Sequence, residues 1–508
     1  MRRPLVILLC ALALCGPAAG DDQHTPLEQR EWLDVSSENF RIGSVLGRER
    51  TVELLRHLEV MRASLDDPLS EPTYHAQVPT IILAVDRHDD YVRIGAPDYS
   101  AGYFYSNMRE NAILIEDTND STGIQVILHE YAHYLNKQSG RIRFPRWFEE
   151  GNAEYLSHSR VRDQAFEYGI AAKRHLSTLN FMSWSPLTDI LERDDTSSLG
   201  DEEAALFYGQ SWLLVHYLRS LPDSDQTLAR SLQHYARLAS KGTPPVSAFE
   251  QAFAVEVEQF ERDLLQYYLD KTFASRIVPV NTALPGFAPR VEKLSATEAQ
   301  LALAQMALRF ENIDAAERWF TASLADNDLQ AHAEAGLGRV MGRRGDFDAA
   351  TGHFEHAIYL MAWDFRIWMD YAQYWAQQLS AANDTRTRKR IASRLIESLE
   401  NALTIAEATP ELNSLMGFAY LANGEDVLGA IEFLEAAAAA APHDQASRLL
   451  LAQAYLFASQ PGDAIEVAES ILHFEHKASP ITAAAQEVIR NAHELDALVD
   501  EPLSFLGR

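Results

Sequence analysis

The alternation of apolar and polar positions changes character along the chain. "ENFRIGS" and "PTIILAV" read as short strands, with apolar or β-branched residues at every second place or in a brief run. Between them, "RTVELLRHLEVMRASL" carries Val52, Leu55, Leu58 and Met61 at helical spacing. "AGYFYS" and "NAILIE" predict two more strands, and from Gly123 onward the pattern is almost entirely helical. The stretch 276–292, "RIVPVNTALPGFAPRVE", holds three prolines and no helical period, and is expected to link two domains.

Beyond residue 292 the pattern repeats. "DAAERWFTASL" and "DAATGHFEHAI" align Ala315 with Ala349 and Phe320 with Phe354, each 34 residues apart, and Ala430 and Ala464 show the same interval. Gly338, Gly417 and Ala452 occupy the small position of the preceding helix. Paired helices at this period, with small residues where they touch, are the tetratricopeptide pattern. Five repeats are expected, one widened to a spacing of 45 between Ala357 and Ala402 by "SAANDTRTRKR". Arrays of this kind bury a core only by stacking, and their curved surfaces bind protein partners.

Charge and composition narrow the classes. Against 73 Asp+Glu stand 44 Lys+Arg, a net charge of −29, which disfavours nucleic acid and anionic membrane surfaces as partners. "MRRPLVILLCALALCGPAAG", 1–20, has a basic start, a short apolar core and small residues before Asp21, and reads as a secretory signal. No other run is apolar and long enough to be a transmembrane span. Both cysteines, Cys10 and Cys15, fall in that signal, so the mature chain would carry no disulfide and no thiolate ligand. Leu12-Ala13-Leu14-Cys15 is similar to a bacterial lipobox, making Cys15 a candidate lipid anchor. Leu14 is larger than the residue usual before a lipidated cysteine, so plain export to the periplasm or medium of a bacterium is the preferred expectation.

The chemistry concentrates in "VILHEYAHYLNK". His129 and His133, four apart on a helix, share a face and can reach one ion, with Glu130 at the flank to act on water. They lie off the apolar stripe of Ile124, Ile127, Leu128, Tyr131 and Leu135, where a cleft is expected. A hydrolytic zinc site takes three protein ligands, and the helix "WFEEGNAEYLSHS" offers Glu149, Glu150, Glu154 and His158. Glu154, one turn after Glu150, and Asn136 are candidates to hold the ligands from behind.

HEYAH followed by W-F-E-E-G-x-A-E-Y resembles the gluzincins of peptidase clan MA, in particular bacterial peptidase MA-like proteins with tetratricopeptide repeats after the peptidase domain. The resemblance implies Glu150 as third ligand of Zn2+, Glu130 as general base, and a peptide or protein as substrate. It also matches Tyr208, in "FYGQSWLLVHYL", to the tyrosine that stabilises the oxyanion, and "NAILIE" to the edge strand along which a peptide lies. The glutamate motif that holds a substrate's free amine in the aminopeptidases is absent, which leans towards an endopeptidase. Neither the metzincin positions, held by Asn136 and Ser139, nor an aspzincin motif is matched. The expected architecture is an α+β gluzincin-like metallopeptidase domain over 21–275, with a small mixed sheet plus helices, the linker 276–292, and an all-α tetratricopeptide-repeat solenoid over 293–495. The alternative is a non-enzymatic repeat scaffold carrying an inactive peptidase-like domain.

Overall fold

The computed structural model describes residues 25–64, 80–98, 100–117, 122–138, 144–162, 165–196, 199–221, 224–279, 287–424, 426–474 and 479–500. The expected signal 1–20, with Cys15, lies outside the described residues, as does the side chain of Asn136. Among the described residues no helix is long and apolar enough to cross a membrane. The chain divides into two compact units, the first running to Trp319 and the second continuing from Phe320.

The first unit opens with β1 (Leu33–Ser36), β2 (Phe40–Ser44), α1 (Arg48–Ser64), β3 (Thr80–Val85), α2 (His88–Ile94), β4 (Gly102–Ser106) and β5 (Asn111–Glu116). Then come α3 (Thr122–Gln138), α4 (Arg146–Ser157), β6 (Arg160–Arg162), β7 (Ala165–Tyr168), α5 (Lys173–Phe181), α6 (Leu187–Glu192) and α7 (Asp201–Ser220). It closes with α8 (Ser224–Ser240), α9 (Pro245–Phe253), α10 (Val257–Asp270), β8 (Arg276–Pro279), β9 (Arg290–Lys293), α11 (Ala296–Arg309) and most of α12 (Ile313–Ser323).

The larger sheet is mixed, in the order β4-β5-β3-β2-β1-β9. β2, β3 and β5 run parallel, and β4, β1 and β9 pair antiparallel at its flanks. The expected edge strand, "NAILIE", is β5 and is internal; β4, "GYFYS", is the outer strand. Residue chemistry explains the exchange. β5 buries Asn111 to Ile115 without interruption, as a strand covered on both faces must, whereas β4 turns progressively outward towards Ser106.

The stretch 276–292 differs from a bare linker. Its first residues form β8, antiparallel to β7, and its last join β9 to the edge of β1. Ile277, Val278 and Val291 supply β-branched side chains, and Pro279 closes a strand end where a missing N–H is tolerated.

The second unit is helical. α12 is followed by α13 (Gln330–Arg344), α14 (Phe347–Leu360), α15 (Phe365–Ala381), α16 (Thr385–Leu403), α17 (Pro410–Asn423), α18 (Val427–Ala440), α19 (Gln445–Phe457), α20 (Pro461–Phe474) and α21 (Pro480–Asp500). Consecutive helices pack in pairs. Asp346, Asp384, Asp426 and Asp444 each cap a helix start through the side chain, and Gly345 and Gly424, at φ 81° and 72°, end α13 and α17 in the left-handed conformation. The small positions work as the period implies. A Cβ on Gly338 would stand 2.8 Å from the Phe354 ring, and one on Gly417 would stand 2.4 Å from Leu434 Cγ. "SAANDTRTRKR" lengthens α15 and α16 to 17 and 19 residues, which accounts for the wide interval. These helix pairs are tetratricopeptide-like repeats.

Candidate metal centre

α3 is buried around most of its circumference. Ile127, Leu128 and Tyr131 serve the core, and the opposite face, bearing His129 and His133, meets α4 instead of the open cleft the sequence suggested. α4 is itself wedged between α3 and α7. Its glycine permits this: a Cβ on Gly151 would lie 2.3 Å from the backbone oxygen of Ser211 on α7. Trp147 and Phe148 anchor the helix start in the core, and Arg219 of α7 donates to Asn152 at 2.8 Å.

This packing turns Glu150 and Glu154, one turn apart, towards α3. Glu150 Oε2 stands 3.6 Å from His129 Nε2 and 3.4 Å from His133 Nε2, and the two ring nitrogens are 3.1 Å apart. Glu150 Oε2 accepts no hydrogen bond, although it is fully buried. A tetrahedral ion with ligands at about 2.0–2.1 Å has ligand–ligand edges of about 3.3–3.4 Å. Two imidazole nitrogens and one carboxylate oxygen, spaced 3.1–3.6 Å, therefore fit three corners of a zinc-type site. Of the four acids and histidines the sequence offered on this helix, Glu150 is the one brought to both histidines.

Without a metal the cluster balances its charges internally. Burial disfavours a charged His129, but the carboxylates of Glu150 and Glu154 outweigh it and hold the imidazole's pKa well above its ordinary value. Burial also works against Glu150, yet His133, His129 and Arg146 hold its carboxyl well below the usual range. Arg146 Nη1 donates to Glu150 Oε1 at 3.3 Å and to Glu149 at 3.1 Å, so the oxygen of Glu150 turned away from the histidines has a cationic partner.

The remaining expected residues fall as follows. Glu130 is buried beside β4, where a Cβ on Gly102 would lie 3.3 Å from its Oε1, so the outer strand passes directly against this carboxylate. Glu154 Oε1 lies 3.4 Å from His129 Nδ1, behind the ligand ring. Tyr208, on α7, is buried; burial and the nearby carboxylates of Glu150 and Glu154 push its phenol well above the ordinary range. His158 is half-buried, with Nδ1 donating to the Glu154 backbone oxygen at 2.8 Å. Two participants escaped sequence reasoning. Arg146 sits one turn before Glu150, a spacing that could have flagged it, whereas His175, whose Nε2 donates to Glu154 Oε2 at 2.7 Å, comes from the separate helix α5 and carries no spacing signal.

No protein-family model matches the chain, and no curated protein is found to be similar to it. Solved structures resemble it weakly. A thermophilic tetratricopeptide-repeat protein of Thermus thermophilus is 18% identical over 38% of this chain and 99% of its own, with a TM-score of 0.32. PilW, a type IV pilus biogenesis factor, is 17% identical over 42% of this chain and 96% of its own, with a TM-score of 0.33. Yeast Tom70 is 14% identical over 65% of this chain and 74% of its own, with a TM-score of 0.32.

Proposed function

We propose that this chain is an exported zinc-dependent peptidase whose repeats bind a protein partner or present a substrate. The observation that carries the reading is the buried convergence of His129, His133 and Glu150 at 3.1–3.6 Å, with Glu130 adjacent on the same helix. Zinc bound to those three would supply a Lewis acid that polarises water and a scissile carbonyl.

The chain's own residues account for the rest. Glu130 takes the proton of the attacking water and passes it to the leaving amine, as a buried carboxylate beside the reacting atoms can. Tyr208 keeps its proton at all working pH values, because its pKa lies well above 10, and serves as hydrogen-bond donor to the developing oxyanion. β4, the outer strand of the sheet among the described residues, is the edge along which an extended peptide would pair. Gly102 lets that strand approach Glu130 closely, and this proximity supports a peptide on β4 being within reach of the base. No acidic side chain lies on β4, "GYFYS", to hold a free amine, and this favours cleavage within a chain over trimming from its end.

Hydrolysis of an amino-blocked peptide library by the purified protein tests the reading. Glu130→Gln is expected to retain zinc and to lower turnover by about 10²–10⁴-fold. Hydrolysis unaffected by that substitution would contradict the mechanism, and preference for free-amine peptides would contradict the endopeptidase part.

A further inference from the structure

His175 is a buried imidazole that neither ligates the proposed metal nor touches the proposed substrate edge, and its surroundings assign it a task. We propose that His175 is a positioning residue: acting through Glu154, it fixes the ring orientation and tautomer of the metal ligand His129. This rests on the zinc reading above.

The geometry forms a chain of three side chains. His129 turns Nε2 towards Glu150 and His133, so Nε2 must be the unprotonated, ligating nitrogen and Nδ1 the one bearing hydrogen. Glu154 Oε1 lies 3.4 Å from that Nδ1. Its other oxygen, Oε2, accepts from His175 Nε2 at 2.7 Å. A carboxylate can only accept, so His175 must present an N–H there. Held by His175 through Oε2, Glu154 keeps Oε1 beside His129 Nδ1, and ligand rings supported from behind in this manner bind metal more tightly.

His175 is in turn immobilised. Its ring lies against Trp212 of α7, with centroids 5.8 Å apart, and against His158 at 5.5 Å. The side chain therefore reaches Glu154 from a helix packed on α7, independently of α3 and α4. Glu154, His158 and His175 are also close enough to be considered as a second metal group. Their hydrogen bonds argue otherwise. His158 Nδ1 is committed to a backbone carbonyl, and His175 Nε2 directs a hydrogen, not a lone pair, at Glu154.

Zinc affinity, measured by competition with a chromogenic chelator, tests the assignment, together with the visible spectrum of the cobalt-loaded protein. His175→Phe keeps an aromatic ring against Trp212 but removes the donor, and is expected to weaken zinc binding about 10–100-fold and shift the cobalt bands. His175→Gln restores an N–H of similar reach and is expected to stay close to wild type. Should His175→Phe fail to fold, as judged by circular dichroism, His175→Asn, whose amide is too short to reach Glu154, carries the same comparison. Wild-type affinity and an unchanged cobalt spectrum in the donor-less variant would overturn the proposal, as would two zinc ions per chain. A wild-type protein that binds no zinc would overturn the zinc reading itself, before any variant is compared.

Discussion

A single buried imidazole illustrates how much one side chain contributes here. His216 donates from Nε2 to the Gly169 carbonyl at 3.0 Å and accepts at Nδ1 from the Tyr267 hydroxyl at 2.8 Å. Both ring nitrogens are satisfied in the neutral form, and burial lowers its pKa to about 4. Unfolding returns the ring to about 6.5, so between those values the unfolded chain binds more protons and stability falls as pH falls. The contribution is fully present above about pH 6.5, and its loss amounts to about 3 kcal/mol by pH 4. Denaturant unfolding at pH 7 and pH 4.5 is expected to show a steeper loss in the wild type than in His216→Phe; equal losses would remove His216 from the account. At this scale the sequence was legible where chemistry follows local spacing. His129 and His133 share a helix face at i,i+4 spacing, which made them candidates, whereas Glu150 was singled out among the acids of the next helix by the family resemblance and not by spacing. His175 and His216 owe their roles to α5 and α7 packing on α4, which no local period encodes.

Among the elements, the β4–β5 hairpin matters most, because it presents the outer strand. α11 and the start of α12 clamp it within the first unit. Arg309 engages Glu110, in the hairpin turn, through two hydrogen bonds, one of them 2.6 Å; Phe310 packs on Tyr103 with centroids 4.6 Å apart. Asn312 donates to the Arg93 backbone oxygen at 2.9 Å, tying α2 to the same clamp. Both members of the ion pair are largely buried, so removing one leaves a charge without its counterion. Glu110→Ala is expected to destabilise the first unit by about 3 kcal/mol in urea unfolding, and Glu110→Gln with Arg309→Met is expected to recover most of it. A Glu110→Ala protein as stable as the wild type would show that the clamp contributes nothing. This docking was not readable beforehand. The strands over residues 40–116 were visible as alternating or apolar runs, but which strand lies outermost depends on crossovers, and β8 and β9 were hidden by prolines that mark their surroundings as loop.

The chain passes from the first compact unit to the second within α12, between Trp319 and Phe320. The repeat unit was the more legible, since each helix pair reuses one pattern and Gly338, Gly417 and Ala452 announce where helices touch. Its first member departs from that pattern: α11 retains the repeat's spacing yet commits Arg309 and the following Phe310 to the β4–β5 hairpin of the first unit. The central claim concerns the centre formed by α3 and α4, and metal content tests it most directly. Purified wild-type protein, analysed by atomic emission after removal of loosely bound ions, is expected to carry one zinc per chain, with none retained by His133→Ala or Glu150→Ala. A metal-free wild type, or zinc that persists when Glu150 is removed, would contradict the account.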